Sequence, residues 1–311
     1  MKYNEMFICL ISLMMCCACS TNMSDDVVVS ESNSSSSSSI TKTATSSTDD
    51  FENSNFVLID NDAFPDDGFR EYVASEFDKD SNGLLNQEEI ENVEEIAIFW
   101  NEYATSSQVE NLDGIELFPN LRVLICNNCQ LTDVNVSHNL ALEELSLVGN
   151  PIKNIDVSNN AKISVLRCNM TDLSQIDVSK NIALELLNIS GTNIDYIDIN
   201  NNTNLTELWC DSTLLEQIDT TNNAELLRLS VCDTAISELD LHCNTKLASL
   251  AINSTNITEI DLSANVELVN LECMGTDISE IHLEGNTKLK GVWKSENTTV
   301  YVNEGVEVKT Y

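Results

Sequence analysis

Nine aliphatic residues, Leu121, Leu142, Ile163, Leu184, Leu205, Leu226, Leu247, Leu268 and Leu289, recur every 21 residues without an insertion. A period this strict marks a stack of short units, none of which can bury its apolar side alone. Three residues beyond each lies a second column, Leu124 through Leu271 and then Val292, and two further on a third that includes Cys126, Cys168, Cys210 and Cys273. A fourth runs from Ile155 to Ile281, and an unbroken asparagine column runs from Asn139 to Asn286. In L-x-L the side chains alternate, so each unit supplies one short strand, and stacked units set these strands in parallel about 4.8 Å apart. The Asn column and a parallel Thr column fall where the coil must turn. There an amide or hydroxyl can satisfy inward-facing backbone groups. With 3 Pro, 9 Gly and 5% aromatic residues, the chain lacks the punctuation of a sandwich or barrel.

The units, L-x-C-x-x-(T/N)-x-(I/L)-x-x-(I/L)-D-(V/I)-S-x-N, resemble the short, cysteine-bearing repeats of internalin-J-like bacterial leucine-rich repeat surface proteins. The resemblance covers about Ile96 to Trp293. It implies an α/β-type leucine-rich repeat solenoid with a parallel β-sheet on the concave face, used for recognition outside a bacterial cell. It names no ligand. Asn135 and His282 replace the column aspartate at the two ends of the array, and the family's sortase motif and cell-wall repeats have no counterpart.

The N-terminal stretch reads as an address. Lys2 precedes an apolar run from Met6 to Ala18, the length of a signal peptide and too short to span a bilayer. Its end, Cys16-Cys17-Ala18-Cys19-Ser20, resembles a lipoprotein signal. Residues 1–19 are therefore expected to be a leader with Cys19 lipidated, simple cleavage being the alternative. Residues 20–54, rich in Ser, Thr, Asn and Asp, are expected to form a disordered tether, because they cannot bury enough apolar area to offset ordering entropy.

Between tether and repeats, Asp78-Lys79-Asp80-Ser81-Asn82-Gly83-Leu84-Leu85-Asn86-Gln87-Glu88-Glu89 fits D-x-[DN]-x-[DN]-G-x5-E in full. In such a loop, oxygens of Asp78, Asp80 and Asn82, the Leu84 carbonyl, Asn86 through water and bidentate Glu89 surround one calcium ion, and Gly83 makes the sharp turn. Phe69, Tyr72, Val73 and Phe77 before it, and Ile90, Val93 and Ile96 after it, have helical spacing. Residues 55–95 are thus expected to be an EF-hand-like cap held by a structural calcium ion, with a metal-free cap as the alternative. Residues 96–293 form the repeats, and residues 294–311 are expected to close the far end as a hairpin turning at Asn303-Glu304-Gly305.

Alternation sends the residues between the core positions to the open sheet face. Trp209 stands mid-array with Arg167 and Arg228 within two coils, and Leu186, Asn188, Glu207 and Asp211 beside it. Exposed Trp and Arg dominate binding hot spots, so these seven residues are the candidate ligand site for a protein or a glycan. The alternative is that Trp209 covers neighbouring aliphatics while the arginines pair with Glu207 or Asp211. At the turns, Asp156, Asp177, Asp198, Asp219, Asp240 and Asp261 are expected to cap local N–H groups, with a calcium ladder as the lesser reading.

Asp and Glu number 51 against 15 Lys and Arg, a net charge of −36. That excludes nucleic acid, which needs a basic face, and disfavours anionic membrane except through a lipid. Since the 11 cysteines include an inward column at least two coils apart in each step, buried thiols rather than disulfides are expected. The expectation is a monomeric, exported, envelope-anchored recognition protein and not an enzyme. The histidines His138, His242 and His282 lie in separate coils, with no triad foreseen. A structural spacer without a ligand is the second reading.

Overall fold

The computed structural model describes residues 56–99 and 108–311. The expected leader, its Cys19 and the expected tether lie outside them. Among the described residues the chain builds one 11-stranded parallel sheet. Its strands are β3 (Glu95–Phe99), β4 (Val123–Asn127), β5 (Glu144–Ser146), β6 (Val165–Arg167), β7 (Leu186–Asn188), β8 (Glu207–Trp209), β9 (Arg228–Ser230), β10 (Ser249–Ala251), β11 (Asn270–Cys273), β13 (Gly291–Lys294) and β15 (Glu307–Thr310), in that spatial order. Equal unit length sets the register: Leu166 faces Leu145 on one side and Leu187 on the other. The leucine columns are buried, and Cys126, Cys168, Cys210 and Cys273 are buried with them as thiols.

The polar columns close the turns. Asn181 Nδ2 donates to Val157 O at 3.1 Å and to Asn160 O at 2.9 Å, one coil back, and the same pair of bonds repeats at each ladder asparagine from Asn160 to Asn286. Thr171, Thr192, Thr213, Thr234, Thr255 and Thr276 each donate Oγ1–H to the carbonyl three residues earlier. Asn150 does the equivalent work in its coil, donating to Cys126 O at 2.7 Å and accepting from the Cys129 and Leu131 N–H groups. These bonds allow a chain with so little regular hydrogen bonding outside its strands to bury its turns.

Among the described residues the α component is confined to the cap and its border: α1 (Asp67–Glu76), α2 (Gln87–Glu91) and a 3-10 turn at Ile115–Leu117. Asp66 caps α1, accepting from Phe69 N at 2.8 Å on Oδ1 and from Glu110 N at 2.9 Å on Oδ2. Phe64 stacks on Phe118 and meets Phe69 edge-on, joining cap to array in one core. Gly114, at φ +107°, passes so close to Phe64 that a Cβ there would lie 2.4 Å from its ring. The expected helical run after the loop is shorter than the spacing suggested. α2 ends at Glu91 and Ile96 lies on β3, because its carbonyls and amides pair with β4 instead. Tyr72 covers the outer edge of β3 by accepting the Ala97 N–H at 3.1 Å.

The expected C-terminal hairpin is not formed. β14 (Thr299–Tyr301) lies parallel to β12 (Glu280–His282) on the back of the stack, and β15 lies parallel to β13. The segment is a shortened last coil, with Glu307 opposite Gly291. A hairpin would satisfy only itself and leave the edge of β13 bare, whereas one more coil pairs that edge and covers Val292. His282 stacks on Tyr301 with centroids 4.4 Å apart, and Lys309 Nζ sits 5.5 Å from the Trp293 ring.

Candidate functional site

Trp209 stands half-buried on the open face of β8. Its indole Nε1–H donates to Glu207 Oε2 at 3.3 Å, and Glu207 Oε1 accepts from Arg228 Nη1 at 2.6 Å. One carboxylate thus ties the aromatic ring to the cation of the next coil. Asn188 and Ser230 face Trp209 from the neighbouring strands, and Leu186 and Arg228 face Glu207. Ser230 and, beyond it, Ala251 follow Trp209 in the same row and are small.

The other sequence candidates behave differently. Arg167, two coils from Trp209, is ion-paired to Glu144 and stands apart from the cluster. Asp211 turns toward the strand ends: its Oδ1 accepts from Cys232 N at 2.7 Å and from Ser230 Oγ, while its own N–H donates to Ser190 Oγ at 3.1 Å. Burial raises the Asp211 carboxyl above its ordinary 3.8, only partly opposed by those donors. The same place four coils before and two coils after is held by Asn127 and Asn253, whose Oδ1 atoms accept from Val148 N at 3.0 Å and Met274 N at 2.8 Å. Sequence reasoning does not foresee Glu144, and it places Ser190 and Ser230 on the open sheet face but not among the seven candidates, although register at a 21-residue period places each beside its partner.

The loop candidates are brought together. One carboxylate oxygen from each of Asp78, Asp80 and Glu89 lies within 4.8 Å of the others. Asp78 accepts from Asn82 N at 3.1 Å and Gly83 N at 2.8 Å; burial would raise its carboxyl, but these donors hold it below the ordinary 3.8. Asn82 Oδ1 accepts from Leu84 N, and Asn86 with Glu89 forms a reciprocal capping box at the start of α2. Gly83 adopts φ +81°. β2 (Leu84–Leu85) pairs antiparallel with β1 (Val57–Leu58), which braces the far side of the loop. All-oxygen donors, three of them carboxylates, around a left-handed glycine suit a hard divalent cation.

At the turns, Oδ1 of Asp156, Asp177, Asp198, Asp219, Asp240 and Asp261 accepts the N–H two residues on at 2.9 to 3.1 Å, which is the capping role. One turn departs from expectation. His242 Nδ1 bonds Asp240 Oδ1 at 2.7 Å and His242 Nε2 bonds Cys243 Sγ at 3.1 Å. The separation of the histidines between coils therefore does not prevent a Cys-His-Asp arrangement, because all three groups come from a single turn.

No protein-family model and no curated protein matches the chain. Among solved structures it is similar to the functional domain of InlJ from Listeria monocytogenes, which includes a cysteine ladder. That match has a TM-score of 0.64 and 26% identity, over 82% of this chain and 62% of that one. The chain carries an internalin-like leucine-rich repeat. An internalin, InlF, from the same organism matches with a TM-score of 0.58 and 18% identity, over 82% and 93% of the two chains. A chain of the octameric complex of latrophilin 3, Unc5D and the leucine-rich repeat protein FLRT2 matches with a TM-score of 0.53 and 19% identity, over 62% and 70%. The two lower identities speak to the fold alone. The internalin-like array spans less than two thirds of the InlJ domain.

Proposed function

We propose that the chain is a bacterial cell-surface recognition protein that binds a protein partner through the open sheet face, with Trp209 at the centre of the contact. The observation that carries this reading is the Trp209-Glu207-Arg228 cluster: a half-exposed indole and a guanidinium held in place by one shared carboxylate. Because both groups are oriented beforehand, less rotamer entropy is lost on binding. Two further points favour a protein partner: the internalin-like fold, and a similar leucine-rich repeat fold within an assembly of several proteins. Asn188, next to Trp209 in the same row, extends the contact, Arg167 paired to Glu144 lies at its edge one strand further, and Asp211 holds the strand ends. In this reading the protein is exported and held at the envelope by lipid on Cys19.

We further propose that Asp78, Asp80, Asn82, the Leu84 carbonyl, Asn86 and Glu89 hold one calcium ion that stiffens the cap. Its role is structural, since among the described residues the loop pairs with β1 and not with another such loop.

A screen of the purified chain against arrayed surface proteins and glycans, with calcium present, tests the recognition reading. A protein hit that Trp209→Ala abolishes without a change in melting temperature supports it. A hit confined to glycans, a hit indifferent to the substitution, or no hit overturns it; the last favours a spacer.

A further inference from the structure

Seven cysteines fall among the described residues, and their surroundings differ sharply. Burial pushes the thiols of Cys168 and Cys273 up to about 12, and burial with the nearby Asp211 charge does the same to Cys232. Cys126, Cys129 and Cys210 are buried as well. Such thiols pack as small hydrophobes and are inert. Cys243 is different. It is only half-buried, on a turn away from the sheet face, with Sγ 3.1 Å from His242 Nε2. His242 is itself oriented through Nδ1 by Asp240 Oδ1 at 2.7 Å, and Asp240 also accepts the His242 N–H at 3.1 Å. A nucleophile, a base in contact with it and a third group fixing the base is the arrangement that activates a thiol.

The repeat frame shows that this turn is a local specialisation. In other coils the place of His242 is filled by Ser158, Ser179 or Ser263, whose N–H groups make the same bond to the column aspartate. The place of Cys243 is filled by Asn159, Lys180, Asn201 or Ala264. Neither His nor Cys is therefore needed to close the turn.

We infer that Cys243 is a covalent modification site that exchanges with low-molecular-weight disulfides, with His242 as its base and Asp240 as the positioning residue. In the step, Cys243 Sγ–H gives its proton to His242 Nε2 and the thiolate attacks one sulfur of R–S–S–R. A new S–S bond joins Cys243 to one half of the reagent, the old S–S bond breaks, and the leaving thiolate takes the proton back from His242. Cys243 is oxidised to the disulfide level and one reagent sulfur is reduced to a thiol, so the step balances without a further oxidant. The setting also selects for charge. Asp219 and Asp261 lie at the equivalent places one coil to either side of Asp240, so the surface favours a cationic disulfide over an anionic one.

The test uses the full chain with cystamine as a cationic disulfide and dithiobis(nitrobenzoate) as an anionic one, followed by peptide mapping that reads each cysteine separately. In the folded protein the Cys243 peptide is expected to convert faster than the other six described cysteines, and faster than it does itself in denaturant. His242→Ser, which restores the residue of the other coils, slows it roughly tenfold, less than the contribution of a water-excluded base because solvent also takes the proton here. Asp240→Asn, the residue found at Asn135, gives an intermediate rate. Scaled to each reagent's own rate with the unfolded chain, which removes the difference in leaving-group acidity, cystamine outpaces the anionic reagent, and salt narrows the gap. His242→Ser is expected to melt with the native chain and Asp240→Asn slightly below it, since the amide keeps the capping bond but not the charge. If Cys243 reacts no faster folded than unfolded, or if His242→Ser leaves its rate unchanged in a normally melting protein, the inference is overturned.

Discussion

Thr220 Oγ1 donates to Asn244 Oδ1 at 2.9 Å, and among the ladder asparagines only Asn244 has its side-chain oxygen satisfied within the chain. Thr220 occupies a column otherwise filled by Val157, Val178, Ile199, Leu241 and Leu262, so an apolar place has been given to a hydroxyl that answers a buried acceptor. The ladder therefore draws its strength from the amide nitrogens. Asn181→Ala would leave two buried carbonyls, Val157 O and Asn160 O, without that donor. The expected loss is about 2–4 kcal/mol in a urea melt, against about 1 kcal/mol or less for Thr220→Val, where regained apolar burial offsets the lost bond. Equal losses would contradict the account.

Calcium binding predicts a melting temperature that depends on the ion. An ion bound only to the native chain at a hundred times its dissociation constant adds about 2.7 kcal/mol, so chelator should lower the transition and Asp78→Asn with Glu89→Gln should remove the difference. Identical melts in excess calcium and in chelator would make the loop a metal-free cap.

The shared carboxylate makes Glu207 a second probe of the sheet face. Glu207→Gln should weaken partner binding less than Trp209→Ala and leave the melt within about 0.5 kcal/mol, because the group is half-exposed and surface ion pairs contribute little. A titration of either variant against the partner checks the order.

Acid should weaken the array through its turns. Side-chain donors from Ser158, Ser179, Thr221 and His242 hold Asp156, Asp177, Asp219 and Asp240 below their ordinary 3.8, and the Ser263 N–H does so for Asp261. A carboxyl lowered on folding contributes stability that is present above its unfolded value and lost as pH falls through its folded one. The urea midpoint should therefore fall as pH drops below about 3.8.

Asp211 has the opposite sign. Its raised value means that it favours the fold when protonated and loses that contribution as pH rises past its unfolded value near 3.8. Asp211→Asn, with Asn127 and Asn253 as precedents for the same bonds, should stabilise the chain at pH 7 by about 0.5–1 kcal/mol. The gain should shrink toward pH 3. A destabilised variant at pH 7 would show that the charge itself is needed.

The 21-residue period alone determined the solenoid, the parallel register, the buried thiol column and the polar ladders. Equal spacing leaves a chain only one way to bury four aliphatic columns at once. The loop motif likewise placed Asp78, Asp80 and Glu89 together, because twelve consecutive residues around Gly83 have little freedom to do otherwise. Contacts between coils were beyond a reading made one unit at a time. Glu207 reaching both Trp209 and Arg228, Asp211 turning inward, Thr220 answering Asn244 and β1 pairing with β2 each depend on which residue arrives opposite which. The last coil shows the same limit. Val300 to Val308 has the local pattern of a hairpin, but the open edge of β13 offered hydrogen bonds and apolar cover that a hairpin could not use. Local propensity yielded there to the larger gain of continuing the stack. His242 and Cys243 are the converse case: their meeting with Asp240 is wholly local, within four residues of one turn, and the 21-residue period does not encode it.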